Sequence, residues 1–196
     1  MKKFINILIF LFIFALYLIT FMMIYDNFRE RKLNNQEKYA LELFENKIEK
    51  KKEEIPENQT YTVSYKGYTI LGRIEIPRVG INTVILKEHT YAAMNIGAIK
   101  TYGVDLNEKG GFVISAHNFR GMNVFFYPIK NLRKNDVISI TDNKGRKFNY
   151  FVYSIERNVI PNDTSYLFET NDYHVTLVTC ESGGQSRIIV KAHIVE

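Results

Sequence analysis

Hydrophobic and polar positions along this chain follow three successive patterns. Residues 4–25 form an apolar run after Lys2 and Lys3, with Asn6 and Thr20 its only clearly polar side chains. At about 1.5 Å per residue such a run makes a helix of about 33 Å, enough to cross a bilayer core of about 30 Å. From residue 26 to 58 the chain turns to dense mixed charge, with Leu41, Phe44 and Ile48 at helical spacing and the run Lys50, Lys51, Lys52, Glu53, Glu54 ahead of Pro56. This pattern predicts a solvated helical stalk with a thin apolar stripe. From about Tyr68 the period becomes two. Segments 70–77, 81–86, 111–117, 137–141, 147–155, 174–180 and 187–195 are short, β-branched or aromatic, and separated by Gly, Asn and Asp. In the last of them Ile188, Val190, Ala192 and Ile194 share one face, while Arg187, Lys191 and His193 share the other. Asp142-Asn143-Lys144-Gly145 reads as a hairpin turn in which Gly145 takes positive φ. So many short strands without a long apolar helix between them predict a mainly β domain, an antiparallel or mixed barrel or sandwich.

The predicted organisation is a cytoplasmic tip and transmembrane signal anchor at 1–25, a charged stalk or linker at 26–66, and a β domain at 67–196. A cleaved signal peptide fits less well, because its apolar region is usually about 7–15 residues and ends in a small-residue site, which is absent near Tyr25. Lys2 and Lys3 hold the amino terminus in the cytoplasm and leave the β domain outside a single-pass anchor.

Composition narrows the function classes. The chain has 196 residues, 46% of them hydrophobic and 24% charged, which excludes a mainly disordered protein. Its net charge of +5 is spread evenly, with 11 basic and 9 acidic residues in 1–66 and 15 and 12 in 67–196. A nucleic-acid footprint concentrates Lys and Arg in one stripe, so no nucleic-acid partner is expected. A single Cys excludes an intramolecular disulfide, a CxxC zinc site and a CxxCH haem site.

That Cys180 ends a predicted strand and opens the polar loop Glu181-Ser182-Gly183-Gly184-Gln185-Ser186. A lone thiol outside the membrane is either a small buried hydrophobe or a group kept for its reactivity. Reactivity needs a base or cation nearby, because ordinary cysteine thiols titrate near 8.5 and the thiolate is the nucleophile. Of the four His, only His117 ends a strand and opens a Gly-containing loop, Asn118-Phe119-Arg120-Gly121; His89, His174 and His193 read as ordinary solvated or hydrogen-bonded residues. Arg187 starts the strand after the Cys180 loop and offers fixed donors to an oxyanion. Asp105, Glu108, Glu169 and Asp172 are oxygen candidates for calcium, but their spacing matches no EF-hand, and no required cofactor is expected.

The string Thr176-Leu177-Val178-Thr179-Cys180, with Arg187 seven residues on, resembles the TLxTC signature of the sortases, membrane-anchored cysteine transpeptidases of Gram-positive bacteria. The likeness runs from about Leu71 to Val195 and takes in Ile114-Ser115-Ala116-His117-Asn118 and the opening segment 72–77. It implies a closed eight-stranded sortase-type β-barrel with short helices, in which Cys180 attacks the Thr–Gly-type bond of an LPxTG-like sorting signal on secreted proteins. His117 would protonate the leaving amine, Arg187 would hold the oxyanion or the substrate backbone, and Thr179 would help position the substrate. An amine of a peptidoglycan precursor or of another protein would accept the acyl group. Ala116 stands where the family usually has Gly, and six residues separate Cys180 from Arg187. The short 156–173 segment and the absence of a second apolar span point to an A-, D- or E-like member, with A-like ahead. A thiol hydrolase and a non-catalytic anchored binding domain are the alternative readings.

Overall fold

The computed structural model describes residues 2–54, 62–119, 125–167 and 170–194, the side chains of 2, 50–54 and 182 excepted. In chain order its elements are α1 (Lys2–Glu54), β1 (Val63–Tyr65), β2 (Tyr68–Ile76), β3 (Ile81–Leu86), α2 (Tyr91–Met94), β4 (Ala98–Gly103), β5 (Gly110–Ser115), β6 (Val137–Asp142), β7 (Lys147–Val159), β8 (Tyr173–Glu181) and β9 (Ser186–His193). A 3-10 turn over Tyr127–Asn131 precedes β6.

The strands close into a barrel in the order β2, β3, β4, β5, β8, β9, β7, β6, with β6 pairing back onto β2, and β1 extends the sheet as a short hairpin arm. Closure leaves none of the eight barrel strands with an unpaired edge. Two neighbours run parallel, β3 with β4 and β5 with β8; the other barrel pairs are antiparallel. The turn at Asp142–Gly145 forms as its sequence predicts: the Asp142 carboxylate accepts from the Lys144 and Arg146 amides, and Gly145 sits at φ 81°.

Alternation along the strands fills the barrel with Ile74, Ile76, Phe112, Ile114, Ile140, Val175, Leu177, Ile188 and Val190, all essentially buried. Ile189 breaks the two-residue period because it is buried on the outer face, against Val113 and Val178 and packed by Val159 at the end of β7 and by Tyr166 and Leu167 from the β7–β8 connection. Two strands escape the sequence pattern. β1 is only three residues long, and β4 contacts β3 through just Ala98 and Ile99 before its outer end becomes exposed, so neither shows a sustained alternation.

The stalk needs a correction. Residues 2–54 form one continuous helix, and its second half is not solvated on all sides. Leu33, Ala40 and Phe44 are buried, with Leu41, Leu43 and Ile48 partly so, and the helix covers the outer faces of β2 and β3 at Ile70, Val84 and Leu86. Spacings of seven and four residues put the three buried side chains on one helical face. Burying Phe44 alone contributes on the order of 2–3 kcal/mol. Glu45 of α1 pairs with Arg73 of β2 and ties the seam at its polar edge. The apolar run at the start of α1, by contrast, is exposed throughout. Among the described residues this is one helix long and apolar enough, by length and composition, to cross a membrane.

Half-buried Glu37 lies in the same stretch of α1, between Leu33 and Ala40. Burial pushes its carboxyl from 4.5 up to about 7, and the Thr83 hydroxyl pulls the other way without completing a full hydrogen bond. The folded chain therefore holds this proton more tightly than the unfolded chain does. The group costs stability above pH 7, and the cost disappears as pH falls toward 4.5. Glu37→Gln is expected to raise the urea midpoint at pH 8 and to flatten its dependence between pH 8 and 5; an unchanged midpoint at pH 8 would show that the carboxylate is solvated.

Candidate active site

Parallel pairing of β5 with β8 runs in register to Ser115 opposite Val178. Beyond β5 the alignment is continued by individual hydrogen bonds: the Ala116 amide donates to the Val178 carbonyl at 3.2 Å, and the Thr179 hydroxyl donates to the Ala116 carbonyl at 2.7 Å. One residue further, Asn118 Nδ2 donates to the Cys180 carbonyl at 2.6 Å. His117 is thereby held beside the end of the Cys180 strand. It lies just past β5, not within it, and its carbonyl accepts from the Phe126 amide at 3.1 Å, which anchors the far side of the loop.

The antiparallel pair β8–β9 places Arg187 directly opposite Cys180. A tight connection through Ser182–Gly184 joins them, with Gly183 and Gly184 at φ 70° and 95°. Arg187 Nη1 donates to the Gly184 and Ser186 carbonyls, each at 3.0 Å, so part of the guanidinium braces its own loop. Cys180 is half-buried and lines a cleft of about 780 Å³ together with Asn118, Phe119, Tyr127, Gly184 and Ile188. Arg157 and Glu181 stand in the same cleft as an ion pair. A separate cleft of about 590 Å³ at Tyr102, Gly111 and Thr170 carries neither a thiol nor a histidine.

His117 is packed between rings, 4.7 Å from Tyr91 edge-on and 4.6 Å from Phe119. Its Nε2 is buried and makes no hydrogen bond among the described residues. Burial is the main reason its proton affinity falls below the ordinary histidine value; the positive charge of Arg29 lowers it further, and a hydrogen bond to the Tyr91 backbone works in the opposite direction. Tyr91 is presented by the first turn of α2, which Thr90 caps by accepting from the Ala93 amide at 3.1 Å.

Cys180, His117 and Arg187 thus meet at one rim. Thr179 is buried and its hydroxyl is bonded to the Ala116 carbonyl, because its side chain points inward from the strand end. Glu108 is engaged by Lys144 and Arg146 and not set out as an oxygen ligand, while Asp105 sits nearby and acts on Lys100. Glu169 lies outside the described residues, as do Arg120 and Gly121 of the His117 loop. Among the described residues no group of three or more His, Cys, Asp or Glu is arranged to hold a metal. His174 and His193 pair across β8 and β9 with Tyr153 at the opposite end of β8, and His89 is exposed. Sequence reasoning missed Tyr91, Asn118, Phe119 and Arg29. Only Asn118 and Phe119, in the loop that His117 opens, carried a positional signal.

A closed mixed barrel with a thiol and an imidazole at the ends of two parallel strands, and a guanidinium at the start of the antiparallel strand beside them, defines a narrow class of protein, and comparison with known sequences agrees. Residues 74–195 match the model of the sortase domain, and the chain belongs to the sortase family. It is 26% identical over 120 residues to sortase A of Listeria monocytogenes, covering 60% of this chain and 52% of the relative. To sortase A of Bacillus anthracis it is 29% identical over 113 residues, covering 58% and 53%. The match spans about half the length of these relatives. Among solved structures, a Clostridium perfringens sortase D5 transpeptidase superposes with a TM-score of 0.60 and 26% identity, over 83% of this chain and 98% of that one.

The Thr179 hydroxyl supplies the bond that carries the His117 strand end onto the Cys180 strand. Thr179→Val is expected to leave the Ala116 carbonyl buried and unpaired and to cost about 1–3 kcal/mol in a denaturant titration, with Thr179→Ser restoring most of it. Equal stability of Thr179→Val and the parent chain would remove the staple from this account.

Proposed function

We propose that this chain is a cysteine transpeptidase that cleaves an LPxTG-like sorting signal on secreted proteins and passes the acyl group to an amine of a peptidoglycan precursor or of another protein. The observation that carries this reading is the cross-strand placement of Cys180 opposite Arg187, with His117 stapled alongside.

In this reading the Cys180 thiolate attacks the carbonyl carbon of the scissile bond. The carbonyl oxygen takes up the negative charge in the tetrahedral intermediate, and Arg187 faces it with Nε and Nη2, the donors not engaged by the loop carbonyls. Collapse breaks the C–N bond as His117 gives its proton to the leaving amine, which leaves a thioester on Cys180 and a neutral imidazole. An incoming amine then attacks the thioester and gives up a proton to His117, and the thiolate departs. These steps use side chains of this chain and assign no metal or cofactor. The apolar start of α1 holds the enzyme in the cell membrane as a single-pass anchor, amino terminus in the cytoplasm and barrel outside.

The active protonation state pairs a thiolate with an imidazolium. Because burial lowers the proton affinity of His117, that state is a minor one near neutrality, and kcat/KM is expected to be bell-shaped in pH with its acid limb below the ordinary histidine value of about 6.5. The test incubates the full chain with an internally quenched LPxTG-type peptide and an amine, and reads products by mass spectrometry. A ligated product that falls by at least about a thousandfold in Cys180→Ala is expected. Cleavage without ligation would make the protein a hydrolase, and a flat profile from pH 5 to 10 would sink the paired-group mechanism.

A further inference from the structure

The helix that carries the apolar run also touches a ring that lines the cleft. Arg29, one turn past Tyr25, lays its guanidinium 4.5 Å from the centre of the Phe119 ring, the ring that stacks on His117 and lines the cleft with Cys180. One turn further on, Leu33 is only 5% exposed and belongs to the main core cluster, against which Phe119 also packs. Leu33 thus anchors the turn of helix that follows Arg29. A guanidinium at this distance from an aromatic face is attracted to it.

We propose that Arg29 is a positioning residue of the active site, seated on Phe119 to fix the ring stack that orients His117. The catalytic consequence rests on His117 acting as proposed above, but the seating of Arg29 and its electrostatic effect do not. The His117 ring meets Tyr91 from α2 and Phe119, and Arg29 from α1 lies over Phe119; on the adjoining strands Cys180 of β8 stands opposite Arg187 of β9, and Tyr127 and Lys130 of the 3-10 turn line the Cys180 cleft. Arg157 and Glu181 in the cleft neutralise one another. Among these charges it is that of Arg29 which bears on the imidazole and disfavours its protonation. The helix therefore acts on the histidine in two ways, through the ring it presses and through the charge it brings.

The two effects separate by substitution. Arg29→Met keeps the length and the apolar contact but removes the charge; Arg29→Lys keeps the charge but loses the planar fork. The experiment follows the His117 ring signal by NMR across pH in the full chain in detergent micelles, assigned by its loss in His117→Ala, alongside the pH profile of kcat/KM. All variants carry Glu37→Gln, so that the carboxyl two turns along the helix does not titrate in the same window. Arg29→Met is expected to move the His117 titration and the acid limb upward by about half a pH unit, while Arg29→Lys holds both near the parent positions. In a Phe119→Ala background Arg29→Met is expected to add no further shift, because the guanidinium has lost its seat. A His117 titration unmoved by Arg29→Met overturns the proposal, whether or not any peptide is cleaved. A moved titration in a chain that cleaves no sorting peptide upholds the role of Arg29 and counts against the transpeptidase reading alone.

Discussion

Parallel pairing of β5 with β8 is the constraint on which the functional rim depends. In an antiparallel pair the residues leaving adjacent strands at one end belong to opposite chain directions, and a hairpin usually joins them. In a parallel pair both strands run out at the same end, so two residues far apart in sequence emerge side by side. Here those residues are His117 and Cys180, with 62 positions between them, and the register set at Ser115 and Val178 puts them level. Thr179 and Asn118 extend that register past the last ladder bond, one through a buried hydroxyl and one through an amide onto the Cys180 carbonyl. Antiparallel pairing of β8 with β9 then adds Arg187 from across the next seam. Three side chains converge because one strand has a parallel neighbour on one side and an antiparallel neighbour on the other.

Much of this was legible in the sequence. The seven strands with sustained alternation are all present, and the hairpin at Asp142–Gly145 forms for the reason its residues suggest. Cys180, His117 and Arg187 could be singled out because each sits at a strand end next to a glycine-bearing loop. What was illegible lies on outer faces. Alternation reports which side of a strand faces the barrel, but it is silent on what covers the other side, so the seat of α1 on β2 and β3 left only Leu41, Phe44 and Ile48 as a visible stripe. Leu33 was hidden among basic and amide neighbours, Ala40 by its small side chain, and β4 because its burial does not alternate along the strand. Thr179 was expected through the sortase resemblance to help position the substrate; what the sequence did not show is that its buried hydroxyl is bonded to the Ala116 carbonyl.

The environment of His117 sets two requirements against each other. Packing between Tyr91 and Phe119 fixes the ring and excludes water, which favours a defined geometry for proton transfer. The same packing removes the solvent that would stabilise an imidazolium, and Arg29 adds a like charge. In the proposed mechanism precise placement is therefore obtained at the expense of the population of the active ion pair, and the rate depends on a minor state that is well oriented. Such a site gains more from a transition state that localises charge than from a stable resting ion pair, because the imidazolium is consumed in the step it promotes.

Continuity of α1 adds a mechanical condition. A helix broken by Pro or Gly between the apolar run and the barrel would let the cleft swing; residues 26–49 contain neither, and Leu33, Ala40 and Phe44 clamp the helix to the barrel within two turns of Tyr25 and beyond. Arg29 lies four residues past Tyr25, about 6 Å along the axis. In the reading proposed above the apolar run lies in a bilayer, and Arg29 with the ring it covers then stands near the headgroups, at a height set by helix geometry. Burial of Glu37 in the same seam disfavours its ionisation, so the docking of α1 is expected to weaken above neutral pH. The seat of α1 on the barrel and the surroundings of His117 are coupled through one helix, and a change that loosens the seam acts on both at once.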